Sequence, residues 1–231
     1  MNLSSRHSLD NPVWAALATR HAHLGTGGLL ARRYHPDIAP FAAVVSNTAA
    51  AWQELHGLMQ RGEQVALLAL DTMEPVEGLR AEQLGVIHQM AATGRAPDRV
   101  DDTEMVHLGH LDAPDMLELA SMTKPGPFST RTHETGHYIG YRERQQLIAM
   151  AGERMHIDGY VEISAVCVHN AHRGRGLAGR LVNVLRGDIE RRGDTPFLHV
   201  FSDNRAAIGL YERLGFELRQ VFRLVRIKRV D

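Results

Sequence analysis

The stretch from residue 160 to residue 202 constrains the fold most. Residues 160–168 are rich in β-branched and aliphatic side chains and read as a strand. Leu177, Leu181, Val184, Leu185 and Ile189 then recur at the spacing of a helix stripe lying on a sheet, and Gly193 ends the run. Residues 197–201 form a second buried strand. Strand, helix and strand in this order close as a parallel, right-handed crossover.

Residues 137–142 and 146–155 are two more strand-like stretches ahead of residue 160, separated by turns, so an antiparallel meander is predicted. Residues 105–108 read as a strand and 115–123 as a helix, stopped by the Lys-Pro-Gly-Pro loop at 124–127. Downstream, a helix over 206–214 is capped from Ser202-Asp203-Asn204 and ended by Gly215, and a strand over 216–227 follows. Upstream, Asn11-Pro12 opens a helix carrying Val13, Leu17 and Leu24. Short strands at 29–34 and 41–45 precede a helix over 48–60 capped by Asn47 and a strand over 65–70. The polar segment 94–102 places a domain boundary near residue 100, giving a smaller α/β half over 1–100 and a second unit over 101–231. The fold class is mixed α/β.

Composition narrows the function classes. With 231 residues, 44% hydrophobic and 23% charged, the chain has the proportions of an ordinary soluble globular protein. One cysteine, Cys167, excludes an internal disulfide; the first ten residues lack a basic-then-apolar leader pattern, and no apolar run approaches bilayer length. A cytoplasmic protein is expected. The net charge of −1 gives no electrostatic case for nucleic acid or a membrane surface. The charge is uneven, however: residues 171–231 carry 13 Lys and Arg against 7 Asp and Glu, so the last quarter prefers anions.

The anion preference has a focus. Between the strand at 160–168 and the following helix the chain reads His172-Arg173-Gly174-Arg175-Gly176-Leu177-Ala178-Gly179-Arg180. Glycines let backbone N–H groups approach a ligand, and a helix N-terminus offers unpaired donors with a partial positive charge. That is a phosphate cradle, against the plainer alternative of a tight turn with solvated arginines. Gly174, Gly176 and Gly179 formally satisfy the dinucleotide fingerprint, with Asp203 near the position of a ribose-binding acid. Too few residues follow Asp203 for a doubly wound nucleotide domain, and no Gly-Lys-Ser/Thr follows for a Walker loop.

Arg173-Gly174-Arg175-Gly176-Leu177-Ala178 resembles the Q/R-x-x-G-x-G/A motif of the GNAT N-acetyltransferase superfamily. Asn204-Arg205-Ala206-Ala207-Ile208-Gly209-Leu210-Tyr211-Glu212-Arg213-Leu214-Gly215-Phe216 is similar to its second signature, N-x-x-A-x-x-L-Y-x-x-x-G-F. The resemblance covers roughly the last 130 residues. The segments Gly126-Pro127-Phe128, Arg131-Thr132-His133 and Glu162 to Val168 resemble the bacterial subgroup akin to the C-terminal half of glycine N-acyltransferases. This implies a central, mostly antiparallel mixed sheet flanked by helices, with residues 1–100 as a divergent GNAT-like half lacking a pyrophosphate motif.

The implied activity is transfer of an acyl group, most simply acetyl from acetyl-CoA, to a primary amine by direct attack. The resemblance places the pyrophosphate on Arg173, Gly174, Arg175, Gly176, Leu177 and Ala178, and the carbonyl and pantetheine arm on backbone at a bulge around Val166, Cys167 and Val168. The polarity alternation of the strand fails there, as a bulge requires. Asn204 would contact the pantetheine arm, and Tyr211 would protonate the leaving sulfur; their plainer roles are a helix cap and a packed aromatic. Glu162 is the candidate general base and Glu153 its rival, either of which is otherwise an ordinary paired carboxylate. Cys167 reads as a small buried hydrophobe. His133-Glu134-Thr135-Gly136-His137 matches the zinc-protease H-E-x-x-H pattern, yet it follows a Pro/Gly loop and runs into a strand, so no metal is expected. The acceptor is a small-molecule or peptide amine, with a homodimer among the open oligomeric states. The alternative is a non-catalytic acyl-CoA-binding or regulatory protein, which differs at Tyr211 and in whether any amine is acylated.

Overall fold

A computed structural model of the chain describes residues 8–94 and 103–231. The chain order is α1 (Pro12–Ala18), β1 (Gly25–Gly27), β2 (Ala31–Tyr34), β3 (Ala42–Val44), α2 (Ala49–Leu58), β4 (Gln64–Ala69), β5 (Leu79–Ala92), β6 (Met105–Leu108), α3 (Ala113–Thr123), β7 (Tyr138–Glu143), β8 (Gln146–Ile157), β9 (Tyr160–Val168), α4 (Leu177–Arg191), β10 (Thr195–Phe201), α5 (Arg205–Arg213) and β11 (Phe216–Arg229). Strands β1, β2 and β3 make a small sheet, and the other eight form one sheet in the order β4-β11-β5-β10-β9-β8-β7-β6. Every pairing in the large sheet is antiparallel except β9 with β10. The predicted strand–helix–strand crossover and the predicted meander are both present.

The described part of the first hundred residues does not stand apart from this sheet. Strands β4 and β5 belong to it, and β5 lies between β10 and β11. The boundary expected near residue 100 falls outside the described residues. Strand β5 itself escaped the sequence reading because residues 80–84 are all exposed, so no apolar alternation marks them. Two smaller differences have local causes. Helix α2 is capped by Thr48, whose hydroxyl accepts from Ala51 N at 3.4 Å, while Asn47 instead accepts from the Trp52 indole at 2.7 Å. The first helix stops at Ala18, and residues 22–24 form a separate 3-10 turn.

Helices cover both faces of the large sheet. Leu181, Leu185 and Ile189 of α4 pack with Ile139, Ile163, Leu198 and Phe216 on one face, joined by Ile208 and Tyr211 of α5. On the other face, Met116 and Leu119 of α3 meet Met150 and Cys167, while Leu9, Val13, Leu17, Tyr34 and Phe41 cover Met155, Ile157 and Phe197. The buried guanidinium of Arg186 ties α4 to the end of β5 and to the α5–β11 turn, donating to Thr93 O and Gly94 O at 3.0 Å and to Leu214 O.

Strand β9 breaks its own alternation. Met150 pairs with Cys167 and Gly152 with Ser164, so Ala165 and Val166 together oppose Ala151. Ala165 has φ +52, the left-handed region. The bulge therefore begins one residue before the expected 166–168, and it switches the faces: Val161 and Ile163 pack toward α4 before it, Val166 and Val168 after it. A second irregularity in β8 sets Arg154 and Met155 opposite Glu162. Arg154 donates to both Glu162 oxygens, at 2.8 and 2.5 Å, and stands over the Phe41 ring at 5.0 Å.

Two outcomes follow for stability. Ala165→Val forces a β-branched residue into the left-handed region and should lower the urea unfolding free energy by about 1–3 kcal/mol at unchanged m-value, while Ala165→Gly should not. Glu162→Gln strands the buried Arg154 charge and should cost about 3–5 kcal/mol, most of it recovered in the double variant Arg154→Met/Glu162→Leu. Burial raises the Glu162 pKa, but the charge of Arg154 and the hydrogen bonds from Arg154 and His199 outweigh it and hold the carboxyl down at about 2. Its folded pKa lies below the unfolded value of about 4.3, so its stabilisation is complete above that pH and is lost as the pH falls toward 2. Acid titration of stability in Glu162→Gln should lack that limb.

Candidate active site

The chain leaves β9 at Val168, makes a 3-10 turn over Asn170–His172 and enters α4 through Gly174 and Gly176. Both glycines are left-handed, at φ +77 and +76, and a Cβ on either would meet nothing within 4 Å. Backbone conformation is thus what requires glycine there, and the space in front of the loop is open. The first helical bond runs from Arg180 N to Gly176 O at 3.1 Å, which leaves the amides of Leu177, Ala178 and Gly179 as first-turn donors without a backbone partner among the described residues. Residues 173–176 are exposed, whereas the Leu177 side chain turns into the core. Arg175 and His172 both reach the Glu143 carboxylate at 3.2 Å, and they hold it below the usual range. Such an exposed pairing is weak, so a polyanion can take the arginine over.

Beside this cradle the sheet opens. Strands β9 and β10 pair at Thr195–Tyr160, Pro196–Val161 and Phe197–Glu162 and no further. Beyond that point β9 stays with β8 and β10 stays with β5, so two strand edges face each other across a wedge. An extended chain with amides of its own fits between such edges, because both offer unpaired backbone donors and acceptors. The Ala165 bulge lies on the β9 edge of this wedge. Val166 and Val168 turn toward α4, and Cys167 is buried against α3 with its thiol pushed up to about 11 by burial. That thiol is no nucleophile at neutral pH.

Tyr211 lies on α5, in the core cluster that also holds Leu177 and against which Val166 and Val168 pack, and Asn204 caps that helix. The Tyr211 ring packs 6.2 Å from Phe216, and burial pushes its hydroxyl up to about 12, so it keeps its proton across the neutral range. Among the described residues, none exchanges a hydrogen bond with that hydroxyl. Asn204 is the α5 cap, accepting from Ala207 N at 3.2 Å through Oδ1, which leaves its amide NH2 exposed. Cap and ligand contact are therefore compatible.

The two candidate bases are both occupied. Glu162 is fully buried and bound by Arg154 and by His199, whose Nδ1 lies 2.7 Å away. A carboxyl held at about 2 by these partners is a poor proton acceptor. Glu153 is equally buried: desolvation raises its pKa, but His156 at 3.0 Å and Arg192 outweigh that and hold it low. His199 was missed in the sequence, where its signal is a single polar residue inside the apolar run 197–201. The H-E-x-x-H segment forms a 3-10 turn, Thr132–Thr135, that runs into β7, so His133 and His137 share no helical face. Among the described residues β9 and β10 are the one parallel strand pair, which disposes of the dinucleotide reading, since that needs a doubly wound parallel sheet.

Comparison with known proteins bears on the family and the fold. Residues 138–225 match the family model of FR47-like proteins. A solved structure from Novosphingobium aromaticivorans, assigned to the GNAT acetyltransferases, is 35% identical with a TM-score of 0.90 over 98% of this chain and 100% of that one. The N-alpha-acetyltransferase RimI of Mycobacterium tuberculosis is 31% identical over 131 residues, 50% of this chain and 81% of RimI. YobR of Bacillus subtilis, an uncharacterized N-acetyltransferase, is 38% identical over 61 residues, and the match spans only 26% of this chain and 25% of YobR. A cradle of unpaired amides at the mouth of a split sheet, and relatives of this closeness, lead to one conclusion: the chain belongs to the GNAT acetyltransferase family.

Proposed function

We propose that the protein transfers an acetyl group from acetyl-CoA to a primary amine. The carrying observation is that the glycine-led first turn of α4 opens directly beside the wedge between β9 and β10. The amides of Leu177, Ala178 and Gly179, with Arg173 and Arg175 nearby, suit a pyrophosphate. The free edges of β9 and β10 suit a pantetheine arm, whose two amides, one β-alanine unit apart, can exchange hydrogen bonds with strand backbone. Backbone at the Ala165–Val168 bulge polarises the thioester carbonyl, and Tyr211, which holds its proton, delivers it to the departing sulfur. With Glu162 and Glu153 both bound in ion pairs, the proton of the attacking amine passes to water. RimI is named for α-amine acetylation, so a peptide N-terminus is the first acceptor to try.

Acetyl-CoA at 100 times its dissociation constant should stabilise the fold by about 2.7 kcal/mol, read as a rise in melting temperature. Gly176→Asp puts a carboxylate against the pyrophosphate and should abolish that rise; an undiminished shift in this variant sinks the loop assignment.

Tyr211→Phe keeps the packed ring and removes the donor. Turnover, followed as amine-dependent release of free CoA, should fall by about 10²-fold, the lower end of the range for a positioned acid because a thiol is a tolerable leaving group. Acetyl-CoA affinity should stay within about twofold. Wild-type turnover under chemistry-limited conditions would leave Tyr211 a packing residue.

A further inference from the structure

Glu162 is the last β9 residue paired with β10, and His199 sits two positions past its partner Phe197. Where the backbone bonds stop, side chains take over. His199 Nδ1 meets Glu162 Oε1 at 2.7 Å. Directly opposite His199 on β5 is the fully buried Gln89, whose Nε2 lies 3.2 Å from His199 Nε2 and 3.0 Å from Leu9 O. Gln89 Oε1 accepts from Arg219 at 2.9 Å, and Arg219 reaches Asp10 at 2.7 Å. With Arg154 on the far side of Glu162, the row crosses β8, β9, β10, β5 and β11. Both of its arginines occupy register shifts, Arg154 between Glu153 and His156, and Arg219 between Leu218 and Gln220.

Donor and acceptor accounting fixes the state of His199. Gln89 spends its oxygen on Arg219, so its nitrogen faces His199 as a donor. Nε2 of His199 must therefore accept, and Nδ1 must carry the hydrogen that Glu162 receives. Both ring nitrogens are engaged, and no lone pair is left for a substrate proton.

We propose that the row Arg154–Glu162–His199–Gln89–Arg219 is a positioning clamp that sets where β9 and β10 part, and so how wide the acyl-donor wedge stands, with His199 as its central member. This rests on reading the wedge as the donor site. His199 and Glu162 act through the strand edges, by holding the last paired rung closed while the strands beyond it diverge. Neither touches the reacting atoms.

The test compares His199→Leu with His199→Asn, whose amide can still donate where Nδ1–H stood. Backbone hydrogen exchange of the ligand-free protein is one readout. In His199→Leu the ladder amides of residues 163–168 and 198–201 should exchange about tenfold faster than in wild type, with the distant β6–β7 pair unchanged. Kinetics is the other. The acetyl-CoA KM should rise about tenfold with kcat within about threefold and the pH profile unaltered, and His199→Asn should recover most of both effects. A kcat loss of about 10²-fold or more at constant KM, with a limb of the pH profile gone, overturns the clamp in favour of proton transfer. Unchanged exchange and unchanged KM overturn it outright. A wild-type protein that binds no CoA thioester overturns the donor reading alone, and the exchange comparison still decides the clamp. Should His199→Leu not fold, Gln89→Leu cuts the row one bond further along and is read the same way.

Discussion

A parallel strand pair that stops after three rungs is the constraint around which the rest is arranged. Strands that part inside a sheet leave backbone donors and acceptors facing a gap, and leaving such groups buried and unpaired costs about as much as a lost hydrogen bond for each. The chain restricts this cost to one place. On its outer side β9 keeps its ladder with β8, and β10 keeps its ladder with β5, so each strand has only one open edge. The bulge at Ala165 then turns the β9 edge, letting Val166 and Val168 pack under α4 while the backbone beside them faces the gap. A ligand that brings its own amides completes what the sheet leaves unmade.

The first hundred residues are needed to make that opening. Strand β5 is the partner that lets β10 leave β9, and it comes from residues 79–92. Its far end is fixed by Arg186, which donates to Thr93 and Gly94 and stands over the Phe216 ring at 5.6 Å. Residues 9–41 then cover the sheet face that carries Arg154, Glu162 and His199, removing that row from water. Low dielectric makes each bond in such a row stronger and each unmade bond more costly, so complete satisfaction of the row is a condition of burying it.

What the sequence made legible and what it hid divide along a physical line. The helix stripe of α4, the glycine loop and the Asn204 cap are local: each is set by residues within a few positions, and each could be read directly. The bulge was legible as a failure of alternation in residues 162–168, though its first residue was placed one position late. Strand β5 was hidden because its exposed half pairs with β11 through the backbone, and with Arg80 and Glu82 on one face and Ala81 and Gln83 on the other no apolar face stands out. Glu162 was visible as a carboxylate on the right strand, but its partner Arg154 reaches it only through a register shift in β8, and its partner His199 lies 37 residues away. Residue type and spacing showed that a charge was there; only tertiary pairing decided that it was spent on structure.

The proton economy of the proposed reaction follows from that pairing. An amine acceptor must lose a proton, and a side-chain base near neutrality would serve it best. Here the buried carboxylates are held low, Glu162 by Arg154 and His199 and Glu153 by His156 and Arg192, so neither competes for that proton. At the other end of the reaction, burial raises Tyr211 to about 12, which keeps a proton available for the sulfur at any physiological pH. In the proposed reaction Tyr211 is thus a reluctant acid, and neither Glu162 nor Glu153 serves as the base. Under the proposed reading, the rate at neutral pH is governed by the fraction of acceptor already neutral in water, which favours amines of low pKa, such as a peptide α-amine at about 7.7–8.0, over a lysine side chain at about 10.4.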